Sequence, residues 1–134
     1  GILGTGPYKD QRGQILEEWK AQMTKIAACS NVFLKLGGIG MPMMGFRWDK
    51  RDRPANSVEL ADAWSDPIQF AIELFGSERC MFESNFPVDK RGAGYVPLWN
   101  SFKRISAGYS ADEKTDLFHD AAARAYRLPL LAEN

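Results

Sequence analysis

The chain has 134 residues, 17 acidic and 17 basic side chains, and 45% hydrophobic residues. This composition is typical of about one globular domain. The balanced charge argues against a nucleic-acid-binding protein, which needs a basic excess, and no apolar run approaches the roughly 20 residues of a membrane span.

The start of the chain and its cysteines give expectations about the cellular compartment of the protein. No basic segment followed by a long apolar run opens the chain, so no signal peptide is predicted. Because the chain does not begin with Met, we expect that upstream sequence is missing. Cys29 and Cys80 lack metal-ligand spacing and are predicted to be two buried thiols. They favour a reducing, cytoplasmic setting. The one histidine, His119, cannot by itself build a multi-histidine metal site.

The first elements in chain order are a loop, a helix and a strand. Gly1–Gly13 is rich in Gly, Pro and charge and is predicted to be a loop; its glycines lack the full spacing of a phosphate-binding loop. From Gln14 to about Cys29, apolar residues recur at spacings of three and four, which predicts an amphipathic helix. Asn31–Leu36 is predicted to be a buried strand that ends at two glycines.

Residues 37–54 form a long irregular segment, which is predicted to be a functional lid because its three methionines and two aromatic residues favour packing on an apolar surface. A helix from about Val58 to Phe75 follows, with Ser57 as the candidate N-cap. Pro67 predicts a kink or a first turn in this helix. Gly76 is the expected stop, since glycine accepts the left-handed backbone of a helix terminus.

The segment after Gly76 predicts a second strand, from about Arg79 to Ser84, in which an apolar run ends in polar side chains. A helix is predicted from about Val96 to Ala107. Ser110 and Glu113 have the spacing of a capping box, so another helix begins there and continues to about Tyr126, with a break near Asp120.

This alternation of helices and strands predicts an α/β fold with parallel strands joined by right-handed crossovers. Two strands cannot make a stable sheet with both faces covered, so we expect these elements to be part of something larger.

Five segments of the chain carry a resemblance to a known family: Asn31–Gly38, Phe75–Val88, Trp99–Tyr109, Ser110–Lys114 and Ala121–Leu128. In this order they resemble the carboxyl-terminal half of amidohydrolase-related proteins, which are TIM-barrel hydrolases of the amidohydrolase superfamily and include lactonases and some decarboxylases. The resemblance implies the C-terminal portion of a (β/α)8 barrel, with about two parallel strands and four to five helices, in a single partial domain over residues 1–134. A whole barrel needs ~250 residues. The two strands would be barrel strands 7 and 8.

The resemblance implies a hydrolase in which water attacks a lactone, ester or amide carbon, or a related decarboxylase, acting on a small-molecule substrate. A divalent metal such as zinc would be held by the missing half of the barrel, no metal ligand is expected in this chain, and the chain alone is expected to be inactive. Two alternatives stay open. One is a catalytically inactive homologue or a binding module for a small molecule or protein. The other is a small module that self-associates as a homo-oligomer to cover its strand edges.

The family usually has Gly-Ser-Asp at the end of strand 8, and the corresponding residues here are Glu83-Ser84-Asn85. The amide of Asn85 cannot take a proton at neutral pH, so it is expected to orient water or polarise a substrate carbonyl. Side chains alternate along a strand, so Glu83 lies on the same face as Asn85. We hypothesise that Glu83 supplies the missing carboxylate, with Lys35 as its ion partner. A purely structural ion pair is an equally open interpretation.

The remaining candidates lie in loops and on a helix. Asp89 is a further catalytic candidate, although such a residue more often caps a loop. Ser84 has no His-Asp pair to make it a nucleophile and is placed with the substrate-binding candidates. Arg47, with Trp48 packing over the barrel mouth, would clamp an anionic substrate. For Lys50, Arg51 and Arg53 in the same loop, the opposing interpretation is a solvated charged loop. His119 is expected to lie on the surface.

Overall fold

A computed structural model of the chain describes residue 8 and residues 10–129. Most of the predicted loop at the start, residues 1–7 and 9, lies outside the described residues. The described elements follow the predicted order. They are α1 (Arg12–Ala27), β1 (Leu34–Leu36), α2 (Ser57–Phe75), β2 (Cys80–Phe82), α3 (Tyr95–Ile105), α4 (Ala111–Thr115) and α5 (Ala121–Tyr126).

The two strands form a parallel sheet in which Leu34 is opposite Cys80 and Leu36 is opposite Phe82. The crossover between them contains α2, which packs most extensively against α3. The predicted α/β class is therefore confirmed. Within the part of the chain that the structure describes, no helix combines the length and apolar character needed to cross a membrane.

The core lies between the sheet and the helices. It is built on aromatic and branched side chains because helices and strands bury their apolar faces against each other. Trp64 of α2 is only 1% exposed, and its ring lies 6.0 Å from that of Phe102 on α3. The other fully buried large side chains of this core include Phe75, Leu60, Ile68, Leu98 and Leu117.

Several predicted boundaries need correction. The first helix begins at Arg12, because the backbone of Gly13 is helical rather than looped. The strand predicted from Asn31 begins only at Leu34, since Val32 donates its amide to a turn with Cys29. The second strand is confined to Cys80–Phe82, so Arg79 and Glu83 flank it. The predicted helix Val96–Ala107 is Tyr95–Ile105.

Helix termini follow the predicted chemistry with one exception. The N-cap of α2 is Asn56 rather than Ser57; its side chain accepts the amides of Val58 and Glu59 in a capping box. The predicted capping box at Ser110 is confirmed, and so is the stop at Gly76, where φ is +82°. Pro67 lies inside the continuous α2 and not in its first turn.

Two further expectations concern single residues. The break predicted near Asp120 is a π-helical segment, Asp116–Asp120, between α4 and α5. The prediction of two buried thiols is half wrong: Cys80 is buried, but Cys29 is exposed because it follows the end of α1 and faces solvent.

Candidate functional site

The two sides of the sheet have different environments. On β2, the sulfur of Cys80 lies 3.8 Å from the carbonyl oxygen of Ala71 on α2, and the Phe82 ring stacks on Phe102 with centroids 4.6 Å apart. These side chains face the helices. Because side chains alternate along a strand, Met81 and Glu83 face the opposite side.

Lys35 of β1 lies opposite Met81 in the register, between two leucines that belong to or pack against the helical core. It therefore also faces away from the helices. We call the surface formed by Lys35, Met81 and Glu83 the inner face of the sheet. It is polar at the carboxyl ends of the strands, where α/β enzymes carry their chemistry.

Lys35 and Glu83 meet on the inner face. The ammonium nitrogen lies 3.9 Å from Glu83 Oε2, as predicted for an ion partner. The two side chains differ in exposure, 52% for Lys35 and 18% for Glu83. Burial raises the pKa of the Glu83 carboxyl, with the charge of Lys35 lowering it and that of Asp89 raising it. At this distance and exposure, the pair contributes at most about 1 kcal/mol to stability, so it leaves Glu83 available for other partners.

Two glycines let the segment after β1 lie directly against these polar groups. A Cβ atom on Gly37 would collide with the backbone oxygen and the carboxylate of Glu83. Gly38 has φ of +70°, and a Cβ there would lie 2.6 Å from the side-chain nitrogen of Asn85. From the sequence alone, this pair of glycines predicts only the end of a strand. The signal that could have indicated the contact is that glycines beside a strand often mark a close backbone approach.

Asn85 is held from two sides. Its side-chain NH₂ donates to the sulfur of Met41, 3.4 Å away in the segment after β1. Its backbone N–H donates to Asp89 Oδ2 at 2.7 Å, and its carbonyl oxygen accepts the amides of Val88 and Asp89. The amide of Asn85 is therefore fixed on the side of the sheet that meets Gly38. Ser84, between Glu83 and Asn85 in the chain, is half-buried.

Asp89 is enclosed by the protein. Only 1% of the residue is exposed, and the described residues offer its second carboxylate oxygen, Oδ1, no hydrogen-bond partner. A Cβ on Gly40 would lie 3.3 Å from that oxygen, so the backbone of the segment after β1 covers the carboxylate. The loop-capping role that the sequence also allowed for Asp89 is present in the structure as the hydrogen bond to Asn85.

Of the two residues predicted to clamp an anionic substrate, Trp48 is buried and Arg47 is exposed. Trp48 is 9% exposed, with its ring stacked on Phe46 at 4.6 Å and tilted against Trp64 at 5.5 Å. It anchors the loop to the core. Arg47 is exposed with φ of +58°, and the structure gives neither residue a hydrogen bond or ion pair to Glu83 or Asn85 within the described ranges. The basic residues that follow pair locally: Lys50 with Asp49, and Arg51 and Arg53 with Glu59.

His119 lies in the π-helical segment and not at a strand end. Its ring nitrogen Nδ1 is 2.6 Å from Asp120, and its side chain is 43% exposed. This agrees with the predicted surface histidine.

An apolar cavity of about 190 Å³ lies between α1, β1 and α2. Its walls are mostly the core-facing side chains of these elements, such as Trp19, Leu34 and Ile68. Polar groups that could orient a reacting molecule are concentrated instead at Glu83 and Asn85, so we take the strand ends as the candidate site.

A metal ion needs several ligands, which the described residues do not assemble. No group of three or more His, Cys, Asp or Glu side chains among residues 8 and 10–129 is arranged to hold one. Glu83 and Asn85 therefore do not fit a complete metal centre by themselves, since a catalytic zinc site typically takes three protein ligands.

Comparison with known proteins places this geometry in context. The amidohydrolase family model matches residues 4–128. The chain is 39% identical over 113 residues to the uncharacterized protein y4mH of Sinorhizobium fredii, covering 84% of this chain and 33% of that protein. It is 28% identical over 121 residues to the L-fucono-1,5-lactonase of Burkholderia multivorans, covering 90% of this chain and 38% of that enzyme.

Solved structures agree with the fold. An amidohydrolase from Burkholderia multivorans with bound HEPES superposes with a TM-score of 0.76 at 27% identity, covering 90% of this chain and 40% of that one. A structure of an amidohydrolase from the same organism with bound zinc gives 0.74 at 28% identity, covering 87% and 39%. The chain thus spans about a third of the length of the curated relatives it matches.

Proposed function

Because the chain belongs to the amidohydrolase family, we propose that it forms the active-site end of a hydrolase in which water attacks a lactone carbon. In this proposal, β1 and β2 are barrel strands 7 and 8, and the chain is a single partial domain completed by the other strands. The observation that carries it is the meeting of Glu83 and Asn85 beside Gly37 and Gly38 at the carboxyl ends of two parallel strands. This is the end where TIM-barrel enzymes hold their catalytic groups.

Glu83 is the proposed general base. Its carboxylate takes a proton from the attacking water, the resulting hydroxide adds to the lactone carbonyl carbon, and the proton is returned to the ring oxygen as the C–O bond breaks. Asn85 would donate its side-chain N–H to the carbonyl oxygen as negative charge develops there. A lactone is favoured over other esters and amides, or a decarboxylation substrate, because one relative is named a lactonase.

Substrate binding is assigned to groups near this pair. Lys35, half-exposed on the inner face, would bind an anionic or hydroxyl group of the substrate, and Ser84 would offer a hydroxyl beside it. Arg47 and Trp48 belong to the loop that would cover the substrate. We propose that any divalent ion, such as the zinc bound in the related structure, is held by residues outside the described part.

Glu83→Gln in the complete enzyme tests the proposal. Loss of the base should reduce kcat/KM for hydrolysis of a sugar 1,5-lactone by about 100-fold or more, measured by titrating the acid released. Glu17→Gln, an exposed carboxylate on α1, is the matched control and should retain full activity. Unchanged hydrolysis by Glu83→Gln would end the proposal.

The pH profile gives a second test of the same residue. The base must be ionised, and burial raises the pKa of Glu83 above its ordinary value of 4.5. Activity should therefore fall as the pH falls through that raised pKa, and the acid limb of kcat/KM should lie above pH 4.5. An acid limb at or below pH 4.5 would show that another group is titrating.

A catalytically inactive homologue or binding module is the second candidate, favoured by the amide of Asn85 in place of the expected carboxylate. It predicts binding of a lactone without turnover, measurable by calorimetry. Asn85→Asp separates the two functions. It should create activity in an inactive protein, but lower the activity of an enzyme that uses Glu83, because a second carboxylate would disturb the first.

A further inference from the structure

The loop after β2 is closed by hydrogen bonds between its two ends. The backbone N–H of Asn85 donates to Oδ2 of Asp89 at 2.7 Å, and the backbone N–H of Asp89 donates to the carbonyl oxygen of Asn85 at 3.2 Å. The Asp89 carbonyl oxygen in turn accepts the amides of Gly92 and Ala93 at 3.0 and 3.1 Å. Asp89 therefore links the end of β2 to the residues that precede α3.

The Asp89 carboxylate is out of reach of a substrate. Lys35 on the inner face is half-exposed, yet Asp89 is only 1% exposed. Its second oxygen is covered by the backbone of Gly40 and has no hydrogen-bond partner among the residues described. Completion of a barrel can only bury it further.

We infer that Asp89 is a positioning residue, whose carboxylate fixes the peptide of Asn85 and so holds the Asn85 side chain at the reaction site. This inference rests on the proposed function, because it requires Asn85 to act on the substrate. A positioning role and a general-base role place different demands on the Asp89 carboxylate. Positioning needs one acceptor oxygen facing the Asn85 N–H, whereas proton transfer needs a titratable group in contact with the reacting water.

Two substitutions separate these roles. Asp89→Asn keeps an acceptor oxygen of the same reach and removes the charge. Asp89→Ala removes the acceptor and leaves the Asn85 N–H without its partner. We expect Asp89→Asn to retain activity within about threefold of the wild type. Asp89→Ala should lose about 10- to 100-fold in kcat with KM little changed, since small misplacements at a reacting centre have effects of this size.

A double-mutant cycle with Asn85→Ala in the complete enzyme tests whether Asp89 affects kcat through the Asn85 side chain. If Asp89 acts through the Asn85 side chain, Asp89→Ala should have no further effect on kcat once that side chain is removed. Circular dichroism spectra of all variants check that they are folded. Should Asp89→Ala fail to fold, the activity of Asp89→Asn still shows whether catalysis needs only the acceptor oxygen of residue 89 or also its negative charge.

Three outcomes would overturn the inference. The first is an Asp89→Asn enzyme with a loss of about 100-fold or more, which would mean that the charge itself is needed. The second is additive losses in the double mutant, and the third is full activity of Asn85→Ala, which leaves nothing to position. Glu83→Gln shows whether the proposed function fails as well: if it abolishes hydrolysis while the cycle is additive, only the inference about Asp89 fails.

Discussion

Gly37 lies directly against Glu83. A Cβ at this position would overlap the backbone oxygen and the carboxylate of Glu83. Gly37→Ala should therefore displace Glu83 and lower kcat/KM by about 10- to 100-fold, because geometry at the reacting centre is changed. Overpacking of this kind also costs about 1–3 kcal/mol of stability. Steady-state kinetics and urea unfolding measure the two effects.

Gly13→Ala is the matched control for this change. A Cβ on Gly13 meets nothing within 4 Å in the described chain, and the residue lies inside α1. Alanine there should leave activity unchanged and stabilise the helix by about 0.5–1 kcal/mol. If Gly37→Ala behaves like Gly13→Ala, the close approach of Gly37 to Glu83 does not matter to the site.

For single residues, the sequence could predict contacts that follow from the periodicity of a strand. It could not predict contacts that depend on how distant segments of the chain fold onto each other. The pairing of Glu83 with Lys35 follows from alternation along two adjacent parallel strands. Enclosure of Asp89 beneath Gly40 does not, because it depends on how an irregular segment folds back over a loop. The exposure of Cys29 was likewise missed, since it depends on where α1 ends.

The N-terminus of α2 ties this helix to the irregular segment before it. The carboxylate of Glu59 accepts the backbone N–H of Asn56 at 3.0 Å and pairs with Arg51 and Arg53 at 2.7 and 3.1 Å. The Asn56 backbone hydrogen bond, followed by the bond from Arg51, lowers the pKa of Glu59 to about 2. A group whose pKa is lower in the folded state stabilises that state above its ordinary pKa, and this stabilisation is lost as the pH falls.

Glu59→Gln should therefore destabilise the protein at neutral pH. The difference in melting temperature between variant and wild type should be largest above about pH 4.5 and should disappear as the pH approaches 2. Thermal unfolding followed by circular dichroism across this range measures it, with Glu17→Gln on α1 as the control. A difference that is the same at pH 2 and pH 7 would mean that the ionised carboxylate is not its source.

The elements themselves were predictable in type but not at their ends. The apolar run from Arg79 to Ser84 is longer than β2, because hydrophobicity records burial while a strand also needs a partner for its hydrogen bonds. Asn56 and Ser57 are both favourable N-caps, so their types alone could not choose between them. The π-helical segment was visible only as a break near Asp120.

For the molecule as a whole, the α/β class and the barrel were predicted on different grounds. Alternating helices and strands predicted the parallel α/β arrangement on physical grounds. The barrel came from resemblance to a family, since two strands and their helices fit several α/β architectures. Coverage of about 40% of a related solved chain is consistent with a portion of a barrel, and it agrees with the expectation that two strands alone leave faces uncovered.

Lys35 offers a measurement of whether the inner face is enclosed by further strands. Its side chain is 52% exposed here, and Lys25 on α1 is also exposed. If β1 and β2 line the inside of a closed barrel, Lys35 in the complete protein should be acetylated by acetic anhydride at least about tenfold more slowly than Lys25, because the reagent could then reach it only through the barrel mouth, where the loops surround the substrate chamber. Peptide mass spectrometry over a time course gives both rates in one experiment. Similar rates at the two lysines would place Lys35 on an open surface, and a substrate chamber around Glu83 would then have to be built in another way.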